Sequence, residues 1–507
     1  MIECDSQQPP SSPSLRIGVV GGGMAGSTVA LRLAELGLEI VLFEEGKTLV
    51  NGPPICHLHA GGNLYREISD QQCITLLHQS IDTLQVYPHT ANIRPTVIAI
   101  PKRDKGSPDA LLPRLKKLQH EYASLVEQQP SKKVLGSPSE YFKLYDRAAL
   151  EALTEKEIPD AVTTLDDWMI PVAKNLNLDE FKLPLIIVQE YGLSIFRIAS
   201  TVTLAFEKLA NCRVLTSTKV IDIQPRTNSQ GWEISYQSRG QAADSVHVDY
   251  LINACGYRTG TLDDMSGFKR DRLVEFKAAY IAHWPECHGQ WPEVIFHGER
   301  GTPDGMAQLT PYPGGYFQLH GMTEEITLFK QGLVSSSSSS AQPKLNSLFN
   351  RKLTDRWYQN EIERRTDKAI DHVAQFIPAF GSATVGGNPM FGAQQIPGDD
   401  PTLRAADVSF AGSRYARAEI VKASSALAVA DAILEQLKEE SLLTSGNPIK
   451  AATYGTETAQ QFSITNTLAP DNITSLAEEF AISRACPAEL ARPVGTLSIA
   501  KTSITKS

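Results

Sequence analysis

Apolar residues fall into short runs punctuated by glycine, and the first such stretch is the most informative. Ile17–Val20 reads as an apolar strand that runs straight into Gly21-x-Gly23-x-x-Gly26. Helical spacing follows, Gly37 breaks it, and a second apolar strand, Ile40–Phe43, ends on Glu44 and Glu45. Strand, glycine triplet, helix, strand and acid in this order predict a dinucleotide-binding βαβ unit. Gly21 permits the tight turn, Gly23 leaves room for a pyrophosphate, and Gly26 lets the helix pack closely on the sheet. The unpaired N–H groups at the helix start, around Met24 and Ala25, offer partial positive charge to phosphates. Glu44 is placed to accept hydrogen bonds from ribose hydroxyls.

Further along, Phe196, Ile198, Ala199, Val202, Ala205, Phe206 and Leu209 share one face of a predicted helix. Strand-like runs follow at Val214–Leu215, at Lys219–Ile223, which contains Val220, and at Trp232–Tyr236. The apolar strand Tyr250–Asn253 then ends in Ala254 and Gly256, small residues that let a ligand approach the backbone. Between residues 271 and 330, EFKAAYIAHW, EVIFHGE, MAQLTPY, GYFQLHGM and EITLF read as successive strands. Leu111–Gln128 and Arg351–Phe376 each look like one helix, and the Ser335–Ser340 run like a flexible connection. Ala418–Leu437 has helical apolar spacing and includes Glu419. Gly412, Arg414 and Arg417 precede it or lie at its entrance, and an Arg-bearing loop entering a helix suits an anion unless those arginines are solvated. Beyond residue 439 the pattern weakens into a Ser/Thr-rich tail with one short helical stretch at Ser475–Ile482.

Composition narrows the class. The 507 residues suffice for two or three domains, and 42% hydrophobic with 21% charged residues is ordinary for a soluble globular chain. A formal charge of −9 gives no electrostatic reason to bind nucleic acid. Seven scattered cysteines without a C-x-x-C pair suggest neither a zinc site nor a disulfide framework, so a reducing, cytoplasmic setting without a metal is expected. The first residues lack a signal-peptide pattern, and no apolar run is long enough for a membrane span. Attachment at the periphery of the inner membrane stays compatible with this.

At four places the chain resembles the flavoprotein oxidoreductases of the D-amino-acid oxidase and glycine oxidase type, within the glutathione-reductase-like FAD fold. These are the Gly21–Glu44 unit, the HAGGNL loop at His59–Leu64, the INACGYRTG strand end at Ile252–Gly260, and the closing Val408–Leu434 segment. The resemblance implies an α/β fold: a discontinuous Rossmann-like FAD-binding domain (14–100, 190–265 and 377–438), a mixed β-sheet substrate domain (101–189 and 266–376), and a poorly ordered C-terminal tail (439–507). It implies FAD as cofactor, contacted at the glycine turn, Glu44, Glu45, Val220, Ala254, Gly256, Gly412, Arg414, Arg417 and Glu419. The loop with His59, Gly61 and Gly62 then passes close to the flavin. In sarcosine- and dimethylglycine-dehydrogenase-like enzymes this loop reads W-H-A-A-G-L, and its histidine bonds covalently to the flavin. Here Leu58 replaces the tryptophan and Gly61 an alanine, and non-covalent relatives with N-A-G-G fit equally well.

The implied reaction is dehydrogenation of a small amine, amino acid or hydroxy acid by hydride transfer to flavin N5, with oxygen, a quinone or a carrier protein as electron acceptor. The protein must then orient a C–H bond, exclude water and hold the substrate's polar end. Tyr316, Gln318 and His320 alternate on one strand face and could line a polar cavity, although such a face is also what solvent exposure produces. His297 and Arg300 are similar candidates, and Gln394 and Gln395 sit where related enzymes approach the flavin ring. Two readings compete: a flavin monooxygenase or halogenase, and a non-catalytic FAD-fold binding protein resembling the GDP-dissociation inhibitors. FAGSRYA in place of the G-D-A of aromatic-ring hydroxylases disfavours the former.

Overall fold

The computed structural model describes residues 15–51, 68–226, 230–354, 357–405, 408–443 and 463–495. His59, Gly61 and Gly62 lie outside them. The opening pattern folds as β1 (Arg16–Val20), α1 (Met24–Glu35) and β2 (Glu39–Phe43). The strands are nearly all apolar because both faces are covered. Ile17 and Val19 face helices; Gly18 and Val20 face a three-stranded β-meander, Thr218–Pro225, Trp232–Ser238 and Ala243–Val248. In a six-stranded sheet, β1 lies between Tyr250–Asn253 and β2, both parallel to it. Cys212–Leu215 extends the sheet beyond β2, and Tyr415–Ala418 extends it beyond Tyr250–Asn253, again in parallel.

A second, ten-stranded sheet is built around the long strand Arg272–His283. Its even-numbered residues pack outward: Ala278, Tyr280 and Ala282 into an apolar cluster with the helices Leu165–Asn175 and Gln359–Ala374, and Val274 and Phe276 into one with Leu345 and Phe349. Its odd-numbered residues point the other way, and one of them, Ile281, belongs to the same core as β1 and α1. This inner face is therefore turned toward the nucleotide-binding unit. Thr96–Pro101 and Met390–Pro397 are strands of this sheet, although the sequence reading placed both with the FAD-binding segments.

Several expected elements differ in the structure. EITLF forms no strand, because Thr327 turns back on Gly321: its N–H donates to the Gly321 carbonyl (3.0 Å) and its hydroxyl accepts from the Gly321 N–H (3.0 Å). The serine run is not a loose connection. Ser336 donates its N–H to the Arg272 carbonyl (2.9 Å), Ser337 bridges Ser340, and the Ser340 hydroxyl donates to Asp264 (2.5 Å). The single helix expected over Arg351–Phe376 is two, Ser347–Thr354 and Gln359–Ala374. The last helix of the sheet domain begins only at Ala426 (Ala426–Glu439), and Ala418 ends a strand. In the C-terminal stretch a helix runs over Pro470–Ser483 and docks on Ile195–Phe206, burying Ile473, Ala477 and Ala481.

Candidate cofactor and substrate site

The glycine turn sits at the carboxyl ends of the parallel strands, where ligands bind in open α/β sheets. Gly21 has φ +101° and lies so close to the Ala254 carbonyl that a side chain would collide with it. A Cβ on Gly26 would strike the Gly21 carbonyl, so this position needs glycine for helix and turn to meet. Around Gly23 the situation is reversed: no described atom lies within 4 Å of where its Cβ would be. The same holds at Gly256, with φ +57°. Open space beside the N-terminus of a 12-residue helix is the cradle that a pyrophosphate requires.

Glu44 closes the turn by accepting from the Gly22 N–H (2.7 Å) and the Gly46 N–H (2.6 Å). Burial pushes its carboxyl above the ordinary range, against the pull of those two donors. Met24 and Ala25 are buried at the helix start beside it. Glu45 pairs with Arg258, and Val220 is half-buried in the cluster that packs the meander on the sheet. These residues, with Ala254, form one continuous region.

On the inner face of the ten-stranded sheet, Gln318 lies opposite Ile281, Tyr316 opposite His283 and His320 opposite Gln308. Gln318 and His320 are buried, so this is not a solvated face. The Tyr312 hydroxyl donates to Gln318 Oε1 (3.1 Å), and the buried Gln318 Nε2 has no acceptor among the described residues. Next to Tyr312 lies Arg94, 1% exposed, which donates from Nη2 to Glu293 (3.1 Å) and has no acceptor at Nε or Nη1 among the described residues. Gln308 donates to the other oxygen of Glu293 (2.7 Å). His297 is buried at the end of the Glu293–Phe296 strand.

The same face carries Glu275 and Lys277, 2.7 Å apart, with Arg300 paired to Glu275. Burial would raise the Glu275 carboxyl, but Lys277 and Arg300 outweigh it and hold it below the carboxylate range. Burial lowers Lys277, with Glu275 opposing. Lys277 also donates to Gln394 (3.2 Å), whose Nε2 donates to the Val421 carbonyl (2.7 Å); Gln395 donates to the Ala418 carbonyl (3.2 Å). Both glutamines thus tie the sheet to the segment that leads into Ala426–Glu439.

Four expected cofactor contacts are placed elsewhere. Gly412 and Arg414 lie at the amino end of the Tyr415–Ala418 strand, level with the start of β1 and opposite the glycine turn. Arg414 donates to Gln230, and Phe268 fills the space beside Gly412. Arg417 stands at the carboxyl end, but its guanidinium is committed to Asp263 (2.7 Å) and the Phe268 carbonyl (2.9 Å). Glu419 is buried against Arg272 (3.3 Å), Arg270 (3.2 Å) and Ser409 (2.7 Å). Sequence reading missed Arg94, Glu293, Glu275 and Lys277. The signal for the last two was two charges alternating inside the apolar strand LVEFKAAYIAHW; Arg94 had none, since it stands outside any periodic run.

Among the described residues, no cluster of His, Cys, Asp or Glu could hold a metal ion, and no helix is long and apolar enough to cross a membrane. A family profile for NAD(P)-binding Rossmann-like domains matches residues 19–50. No curated protein matches the chain by sequence. Among solved structures the chain is similar to glycine oxidase from Geobacillus kaustophilus, at 14% identity and a TM-score of 0.52, covering 85% of this chain and 96% of that one. It is similar to L-amino acid deaminase from Proteus vulgaris at 12% identity and a TM-score of 0.53, covering 88% and 98%. It is also similar to dithionite-reduced L-alpha-glycerophosphate oxidase from Mycoplasma pneumoniae with FAD bound, at 12% identity and a TM-score of 0.52, covering 83% and 94%. At identities this low the likeness shows a shared fold alone.

Proposed function

We propose that this chain is an FAD-dependent oxidoreductase that dehydrogenates a small amine, amino acid or hydroxy acid. The observation that carries the reading is the open space at Gly23, beside the start of α1 and the Glu44 carboxylate, in a chain with the fold of FAD-binding oxidases. Gly23, Met24 and Ala25 would hold the pyrophosphate at the turn that Gly21 and Gly22 shape, and Glu44 the ribose. FAD, when bound, supplies a hydride acceptor at N5.

The inner face of the ten-stranded sheet then receives the substrate. A buried donor without an acceptor costs about 1–3 kcal/mol, so Gln318 Nε2 and Arg94 Nε and Nη1 favour a substrate group rich in acceptor oxygens. Burial of Gln318 and Arg94 excludes bulk water from that end. An amine substrate reacts as its free base, whereas an alcohol calls for a proton acceptor, the role proposed for His320. Anaerobic bleaching of the purified native protein across amino acids, N-methyl amines and 2-hydroxy acids, with acid precipitation of a separate portion, tests the reading. Stoichiometric FAD bleached by one of these classes is expected. Protein that takes up no FAD refutes it, and the location of the yellow colour after precipitation decides whether His59 is covalently attached.

A further inference from the structure

The segment after the last helix of the nucleotide-binding domain does more than cover an apolar surface. At the end of the Pro470–Ser483 helix the Arg484 guanidinium enters the loop that follows β2. It donates to the Val50 carbonyl (3.1 Å), the Leu49 carbonyl (3.1 Å) and the Thr48 hydroxyl (3.1 Å). Phe196 and Phe480 flank it, at 5.5 and 5.9 Å from their ring centres. Three acceptors from three consecutive residues fit the fork of an arginine and not the point charge of a lysine.

What Arg484 grips is a strained position. Val50 has φ +52°, the left-handed region that a β-branched side chain avoids, and it is fully buried. Its N–H donates to the Gly22 carbonyl (2.8 Å), while the Gly22 N–H donates to Glu44. Val50 is thus held on its carbonyl side by Arg484 and on its N–H side by the glycine turn. The segment continues toward Arg94: the Ala491 carbonyl accepts from Arg197 (3.0 Å), and the Val494 carbonyl accepts from the Ile93 N–H (2.7 Å), one residue from Arg94.

We propose that Arg484 is a positioning residue for the dinucleotide, acting through Val50 on the Gly22–Glu44 turn. This rests on the FAD reading above. Arg484 touches no phosphate-binding atom; it sets the loop against which the turn is built. The ADP half of the cofactor therefore feels its loss as much as the whole molecule does.

The test is equilibrium binding of FAD and of ADP to cofactor-stripped protein, with apo-protein melting recorded in parallel. Arg484→Ala is expected to raise both dissociation constants by about tenfold, and Arg484→Lys by less. Arg492→Ala, which removes an exposed arginine paired with Glu478 and Glu489, is expected to change neither. Val50→Gly adopts the left-handed backbone unaided, so adding it to Arg484→Ala is expected to restore most of the affinity. If Arg484→Ala does not fold, Arg484→Lys with and without Val50→Gly carries the same comparison. Wild-type affinity in the Arg484 variants, with or without a lower melting temperature, overturns the proposal. So does a loss of affinity that Val50→Gly leaves untouched. Wild-type protein that binds neither FAD nor ADP overturns the cofactor reading itself, and this proposal with it.

Discussion

Gly256 and Gly412 share the same positive φ, +57°, and belong to neighbouring strand segments at opposite ends of one six-stranded sheet. Beside Gly256, at the carboxyl end, no described atom approaches within 4 Å; beside Gly412, at the amino end, the Phe268 ring occupies the space. Both resemble ligand-approach glycines in the sequence, and each is followed within two residues by an arginine. Only one stands where the strands point. A left-handed glycine answers a local demand of the chain, whereas a ligand needs that glycine to border empty volume. Arg417 extends the contrast: it reaches the carboxyl end, yet Asp263 has already taken its charge.

The largest effect should come from the buried charges that close off Arg417. Asp263 accepts from Arg272 (2.6 Å), Arg417 (2.7 Å) and the Tyr415 hydroxyl (2.9 Å), with Asp263 and Arg272 fully buried. Asp263→Ala should leave two arginines short of a counter-charge and cost about 3–5 kcal/mol in urea denaturation. A loss under 1 kcal/mol would show that water or Glu419 compensates.

Next come the glycines. Gly412→Ala should lower stability by about 1–3 kcal/mol through the clash with Phe268, leaving the FAD affinity of the folded protein unchanged. Gly23→Val should do the opposite, weakening FAD by at least about tenfold with little change in apo-protein melting. Equal effects of the two variants on FAD binding would erase the distinction between the sheet's ends.

A smaller effect is expected at Gln318. Gln318→Leu removes a buried donor that lacks an acceptor, so stability should move by less than about 1 kcal/mol in either direction. The KM for the true substrate should nevertheless rise several-fold, as steady-state kinetics would reveal. Unchanged KM would detach this residue from the substrate.

The last is a pH effect at the far end of α1. Burial pushes Glu35 up to about 8, with the Ile464 N–H and Arg32 opposing. The folded value thus exceeds the unfolded one of about 4.5. Stability from the protonated form is fully present below that unfolded value and is lost as pH rises toward 8. Urea midpoints should therefore fall between pH 5 and 8.5 in the wild type and fall less in Glu35→Gln. Parallel profiles would place Glu35 in solvent.

The contrast between local and distant information runs through the whole chain. Strand, turn, helix and acid from Ile17 to Glu44 were legible because every requirement is satisfied within about thirty residues by backbone geometry. The same applies to the alternation that brings Tyr316, Gln318 and His320 to one face. The serine run misled because its composition says nothing of Asp264, which binds it from 76 residues away. The docking of the tail helix was not legible either, since its apolar positions matter only against Ile195–Phe206.

By itself, then, the sequence determined a dinucleotide-binding unit, a mixed sheet and the polar alternation on one of its strands, because φ preferences and side-chain period are properties of neighbouring residues. Only the tertiary structure decided which arginines remain for a ligand, which glycines border open space, and that Arg484 grips the loop after β2 from 434 residues downstream. Those outcomes depend on pairings between segments far apart in the chain. Charge and volume are compensated between such segments, and no local pattern records the partner.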